Sequence, residues 1–268
     1  MKLPVILFSL ITFCALTFAC SSQAVTSYNK QSATKQIKNK SFSKVDISGD
    51  AKVLVNFIQG GKCSATIKSD KSVIGDIKAT VDNGTLKVSY KKPQALKYQT
   101  VTIQLTIQAP RLEKYEASSS NVFTSKSISQ RCDLDIDLSG ASTFTVNNLK
   151  CSELDFDVSG ASTINVGRAS ASEIDLDLSG ASKIAGHYTA TQSISYDVSG
   201  ACKLATSNKA GKIDLDLSGS SKGSITVNCS KLKLEASGCS TININGRAQQ
   251  VTKSISGVSK INTSNLRK

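Results

Sequence analysis

Twenty residues separate Asp137 from Asp157, and twenty more lead to Asp177; two residues ahead of each stands another aspartate, at Asp135, Asp155 and Asp175. The first series continues through Asp197, Asp216 and Glu235, the second through Asp214, with Ser195 and Lys233 interrupting it. Carboxylates in two adjacent columns can do two kinds of chemistry. Ca2+ takes oxygen ligands from several carboxylates, so Asp135, Asp137, Asp155, Asp157, Asp175 and Asp177 form a candidate Ca2+ ladder. Paired aspartates with Ca2+ and a basic residue can also cleave an acidic polysaccharide. The plainer reading is an exposed strand whose charge is screened by salt and offset by Lys183, Lys203 and Lys222. The nonapeptide pattern of Ca2+-binding β-rolls is absent, which weakens the metal reading.

No other constellation points to catalysis. His187 is the single histidine; it has no recognisable nucleophile partner and reads as an exposed corner residue. Signatures of serine hydrolases, P-loops and dinucleotide-binding turns are missing. Beyond the N-terminal region stand Cys63, Cys132, Cys151, Cys202, Cys229 and Cys239, with no C-x-x-C among them, so buried thiols are expected rather than zinc ligands. Six cysteines allow fifteen pairings and spacing does not choose. Cys132 and Cys151 fall seven and eight residues before a recurring Ser, on adjacent repeats, which makes them a candidate pair. Cys202 and Cys239 are two repeats apart, about 9.6 Å of rise, too far to bridge.

The acids sit in a repeat, and the repeat dictates what must position them. Ser-Gly recurs at 139–140, 159–160, 179–180, 199–200, 218–219, 237–238 and 256–257. One, three and five residues before each Ser run apolar columns, among them Leu138, Val158 and Leu178; Ile136, Phe156 and Leu176; Leu134, Leu154 and Ile174. Alternation with period two is a strand with one face buried, and the acids occupy the other face. Five residues beyond each Ser a second column follows in Phe144, Ile164, Ile184, Leu204, Ile242 and Ile261. The Gly between the two strands marks a corner needing a positive φ or a close backbone approach. Two residues further a partner column runs through Val146, Val166, Ile225 and Ile244, and Gly223 and Gly186 break these columns.

Units of 19–21 residues that cannot bury an apolar face alone must stack. The expected fold is all-β: a single-stranded parallel β-helix, a solenoid of two or three short faces, right-handed as parallel crossovers are. The pattern extends backward through Tyr115, Ala117 and Phe123, and through Val45, Ile47, Val53 and Val55, with an Asn83-Gly84 turn between. Residues 42–268 are read as this domain, with irregular early coils, and lysine-rich residues 25–41 as a flexible tether. Residues 1–24 read as an export signal, Lys2 followed by an apolar run too short to span a bilayer. Cleavage falls before Cys20, which would then carry lipid, or after Ala24.

Composition narrows the partners. The net charge of +13 is concentrated early, with 17 Lys/Arg against 7 Asp/Glu in residues 25–130 and 15 against 13 thereafter. No basic run is interleaved with aromatic residues, so nucleic-acid binding is not indicated.

With its opening "FSKVDISGDAKVLVNFIQGGKCSATIKSD", its middle "IGDIKATVDNGTLKVSY" and its "SGAS" repeats, the chain resembles the bacterial family described as putative autotransporter adhesin, head GIN domain. That resemblance implies an exported β-helical protein of the Bacteroidetes-type envelope, without an assigned biochemical function. The chain has no heptad stalk, unlike trimeric autotransporters. The expectation is a non-enzymatic adhesin-like protein of the cell envelope, an outer-membrane lipoprotein if Cys20 is modified, facing the periplasm or the surface and binding a glycan or another envelope component. The alternative is a carbohydrate-active β-helix enzyme with a groove beside Asp175 and Asp177. Regular coils leave no room for the long loops that build such a groove.

Overall fold

The structure is a computed structural model describing residues 31–96 and 100–268. The chain runs through β1 (Ser32–Lys38), β2 (Lys44–Gly49), β3 (Lys52–Gln59), β4 (Ser64–Asp70), β5 (Lys78–Asp82), β6 (Thr85–Tyr90), a 3-10 turn at Gln94–Leu96, β7 (Thr102–Ala109), β8 (Lys114–Ala117) and β9 (Ser120–Ser129). It continues through β10 (Leu134–Leu138), β11 (Thr143–Lys150), β12 (Glu153–Val158) and β13 (Thr163–Leu178). Then come β14 (Lys183–Val198), β15 (Lys203–Leu217), β16 (Lys222–Ala236), β17 (Thr241–Ile255) and β18 (Lys260–Arg267). From β8 onward each coil pairs in parallel with the copy before it, residue for residue along the first face, as in Leu134 with Leu154 and Ile136 with Phe156, and with local register shifts at the bends. The architecture is the expected solenoid.

Each coil has three faces. Within β13 the alternation slips where two residues in a row point outward, at Gly167 and Arg168. It slips again at Ser172 and Glu173, which are both partly exposed. A slip of phase in a strand is a bend. The first face holds the Leu134-type columns. The Ser-Gly corner leads to the second, holding Phe144 and its copies, and a short third face follows whose inward residues are small: Cys151, Ala171, Ala190, Ala210, Cys229 and Ala248, all buried. One continuous cluster of buried residues runs from Phe42 to Ile261, and each fully buried Leu or Ile in it contributes about 1.5–3 kcal/mol relative to exposure.

The Ser-Gly corner has its own internal ladder. The second Ser of each "SGAS" is buried and donates from Oγ to the carbonyl of the first, as Ser162 does to Ser159 at 3.1 Å and Ser182 to Ser179 at 2.9 Å. Cys202 stands in this column and its Sγ contacts the Ser199 carbonyl at 3.2 Å. The thiol replaces a hydroxyl in a conserved geometry of the coil, which explains its burial. Gly180, at the turn, has φ +73° and lies against the Gly160 carbonyl of the preceding coil, 2.5 Å from where a Cβ would stand.

The early coils do not stack in sequence order. On the first face the order is β5, β6, β2, β8, β10, and on the second β1, β4, β7, β3, β9, β11. The coil made by β2 and β3 is therefore inserted between the coil of β6 and β7 and that of β8 and β9. Antiparallel strands close this end: β5 on β6, and β4 with β1 on β7.

Residues 32–38 correct the reading of residues 25–41 as a tether, since β1 pairs along its full length with β4, from Ser32 opposite Asp70 to Lys38 opposite Ser64. Only Ala33 and Ile37 are partly buried, and Lys35 Nζ donates to the Ile77 carbonyl at 3.0 Å. A strand held mainly by its backbone ladder leaves almost no apolar signature, and its lysines are what an edge strand uses against unwanted pairing. At the opposite end Val251, Ile255 and Val258 are exposed on the last coil.

Candidate functional site

Strand pairing places the acids as the periodicity predicts. One column runs Glu116, Asp137, Asp157, Asp177, Asp197, Asp216, Glu235 and the second Lys114, Asp135, Asp155, Asp175, Ser195, Asp214, Lys233, every neighbour in register. All lie on the outer side of the first face. Lys114 pairs with Asp137, Lys212 with Asp214, and Lys233 with Glu235 at 2.8 Å, and beyond Lys114 the columns pass into β2 through Lys44 and Asp46. Lys183, Lys203 and Lys222, expected to offset the ladder, instead stack on one another across the corner on the second face. Among the described residues no ion pair joins them to an acid, because the corner turns their side chains onto a different face.

The ladder is electrostatically strained. Asp155 and Asp177 have their pKa raised above the usual carboxylate range, first by partial burial and then by the carboxylates above and below. The Asp137 hydrogen bond raises the Lys114 pKa above the usual lysine value. Among the described residues no group of three or more His, Cys, Asp or Glu side chains converges as a metal centre requires. Each acid faces outward from its own rung, so the stack forms a stripe rather than a cage.

A raised carboxylate pKa fixes the sign of the pH effect. The folded chain holds these protons to higher pH than the unfolded chain does, so the penalty is full above the folded pKa values. It is relieved as pH falls through them toward the ordinary range. Asp177→Asn is therefore expected to stabilise the protein at neutral pH and low salt by roughly 1 kcal/mol or less, the scale of one exposed carboxylate pair. Thermal melts of both proteins across the acid range should show the gain shrinking as pH falls and as salt is added. A gain that ignores both would mean that packing, not charge, sets it.

His187 is exposed, as expected of a corner residue, and lies in β14 where the second face bends into the third, beside the ring of Tyr188, which packs over Gly186. Here the repeat is irregular for a packing reason: Tyr188 and Tyr196 fill the interior, and Tyr196 Oη donates to Asn208 Oδ1 at 2.7 Å while Asn208 Nδ2 donates to Thr206 at 3.0 Å. The six described cysteines are free. Cys151, Cys202 and Cys229 are buried as expected, and burial pushes the Cys151 thiol up to about 12 and that of Cys229 to about 11. The candidate Cys132–Cys151 bridge is not formed. The Ser152 amide donates to the Cys132 carbonyl at 3.1 Å, the parallel-ladder bond that sets Cys151 beside Cys132, so the two free thiols are neighbours on adjacent coils. The lipidation candidate Cys20 and the export signal lie outside the described residues.

A feature not anticipated from the repeat lies where the second face bends into the third. A valley of about 740 Å³ follows the solenoid axis across six coils, from Ser127–Ser129 on β9 to Thr226–Asn228 on β16. Its floor is a row of buried residues that includes Leu149, Ala169, Tyr188 and Val227. Its walls are polar side chains, with Arg168 and His187 on one side and Lys150 and Lys209 on the other. Two further concavities are lined around Lys38, Lys62 and Arg111, and around Asp50, Asp76 and Tyr90. No ladder carboxylate lines any of the three.

Comparison with known proteins agrees with this geometry. The profile of the family described as "Putative auto-transporter adhesin, head GIN domain" matches residues 41–206 and again 188–268. A solved structure from Parabacteroides distasonis, described as a "putative adhesin", superposes with a TM-score of 0.73 at 14% identity, over 90% of this chain and 98% of its own. A second, from Parabacteroides merdae and described in the same words, gives 0.65 at 15% identity over 90% and 97%. A third, from Bacteroides fragilis, gives 0.57 at 20% identity over 90% and 99%. At such identities the likeness carries the fold alone. No curated protein matches the sequence.

Proposed function

Since the chain belongs to the family described as "Putative auto-transporter adhesin, head GIN domain", we propose that it is a non-enzymatic adhesin-like protein of the bacterial cell envelope, exported and presenting the polar faces of its solenoid to a glycan or another envelope component. The observation that carries this reading is the uniformity of the coil. From β10 to β18 the connections are tight corners and no long loop is inserted, so the fold offers extended, open surface rather than an enclosed pocket. The acid columns lack the cleft that a polysaccharide-cleaving enzyme needs around its carboxylates.

Attachment is part of the proposal. Among the described residues no helix is long and apolar enough to cross a membrane, and the sequence around Cys20 supports a lipid anchor in the outer membrane. Cys20→Ala is expected to move the chain from the membrane fraction to the soluble fraction of cells, because an acyl chain supplies about 0.8 kcal/mol of membrane affinity per buried CH2. Beads coated with the purified chain should adhere to envelope preparations or glycan-coated surfaces, and free chain should compete. Coated beads that adhere no better than bare ones would remove the adhesin reading.

A further inference from the structure

The valley differs from the other faces in how its cations are used. On the first face Lys114, Lys212 and Lys233 each pair with an acid. On the valley walls stand Lys150, Arg168 and Lys209, no carboxylate lines the space between them, and among the described residues no ion pair engages any of the three. Unpaired cations along a polar concavity are a binding surface for anionic groups.

Strand register sets their spacing. Lys150 pairs with Ser170, Ser170 with Thr189, and Thr189 with Lys209, so three rungs, about 14 Å, separate the two lysines. Arg168 stands opposite, one rung above Lys150, since its partner is Asn148. Between the cations the walls offer hydroxyl and amide groups. The six coils extend the track over about 24 Å, a length suited to a linear oligomer rather than a single small anion.

We propose that this valley binds an extended anionic polysaccharide, carboxylated or sulfated, laid along the solenoid axis. Lys150, Arg168 and Lys209 meet its anionic groups, and Ser170, Thr189 and Asn228 meet sugar hydroxyls. The proposal rests on the adhesin reading and gives it a ligand class. Single-stranded nucleic acid fits less well, because its bases need a series of exposed aromatic rings to stack on, and the valley offers the single imidazole of His187 while Tyr188 is buried in the floor. A folded protein partner would seek apolar area, and the apolar floor residues are buried too.

The test is titration of the purified full chain with polygalacturonate and with heparin oligosaccharides, using dextran as neutral control and a single-stranded DNA oligonucleotide as alternative polyanion. The chain should bind one or both anionic glycans, not dextran, with affinity falling as salt rises. The triple variant K150Q/R168Q/K209Q should weaken binding at least about tenfold, the loss of roughly one charge-assisted contact or more. The equally charged control K183Q/K203Q/K222Q, on the second face, should bind as the parent does, and circular dichroism should show both variants folded. Equal loss in both variants would mean binding to net charge and would overturn the site, as would tighter binding to DNA than to either glycan. Coated beads that adhere while neither glycan binds would overturn this inference and leave the adhesin reading standing; failure of both assays would remove both.

Discussion

Gly180→Ala should destabilise the solenoid by roughly 4 kcal/mol, whereas Gly84→Ala, at nearly the same backbone angle, should lose only about 1 kcal/mol. Gly180 has φ +73° and Gly84 φ +74°, so the intrinsic penalty of a left-handed conformation is common to both. What differs is the space. Nothing lies within 4 Å of a Cβ built on Gly84, while one on Gly180 meets the Gly160 carbonyl oxygen at 2.5 Å. That oxygen cannot retreat, because it accepts from the Ala181 amide at 2.8 Å and belongs to a coil packed from below by Gly140. Ser119, at the corner one coil before Gly140, carries a side chain at φ +84°, which shows that the angle alone is tolerated. Urea denaturation of both variants, with hydrogen exchange on the coils flanking residue 180, measures the contrast; equal losses would place the whole penalty in the backbone angle.

The same corner explains why the coils were legible in the sequence. A residue that must be glycine for steric reasons, flanked by inward columns at fixed offsets, writes itself into every repeat. The acids share that legibility because they fill outward positions of the most regular face. Stacking order in the early coils is different. The inward residues of β2, β6 and β8 alternate alike, with Val45, Leu86 and Tyr115 equivalent in the ladder, so alternation alone does not say which rests on which. The insertion of β2 and β3 is a property of pairing, and β1 is nearly silent because only its backbone holds it.

The third face and its valley were hidden for two physical reasons. Inward positions there are Ala and Cys, small residues that leave a faint hydrophobic pattern. In addition, the register shifts between Val166 and Ala169 and again between Ala171 and Glu173. Counting from the Ser-Gly pair therefore places Lys150 eleven residues on and Lys209 ten residues on, although strand pairing puts both in one column. A fixed-offset alignment separates residues that the bulge brings together, which is why the acids could be read from the sequence and the cations could not.

Phe123→Ala should cost about 4 kcal/mol, and the loss should be unevenly distributed along the solenoid. Phe123 is fully buried and its ring joins the two halves of the core. It stacks on Phe144 at 4.6 Å and 13°, meets Tyr115 at 4.6 Å, and reaches Phe57 of the inserted coil at 6.1 Å. Truncation removes the transfer free energy of the ring, leaves a cavity, and forfeits aromatic contacts of roughly 0.5–1.5 kcal/mol each. Because each coil touches only its neighbours, destabilisation should be greatest next to the cavity and fade with distance. Hydrogen exchange should therefore speed most in β3, β7, β9 and β11, and least in β16 and β17. Phe123→Leu, which keeps most of the volume, should lose under about 1.5 kcal/mol. A uniform loss of protection in the alanine variant would mean that the inserted coil and its antiparallel cap fold as one cooperative unit with the entire repeat, and nearest-neighbour coupling would have to be abandoned for this solenoid.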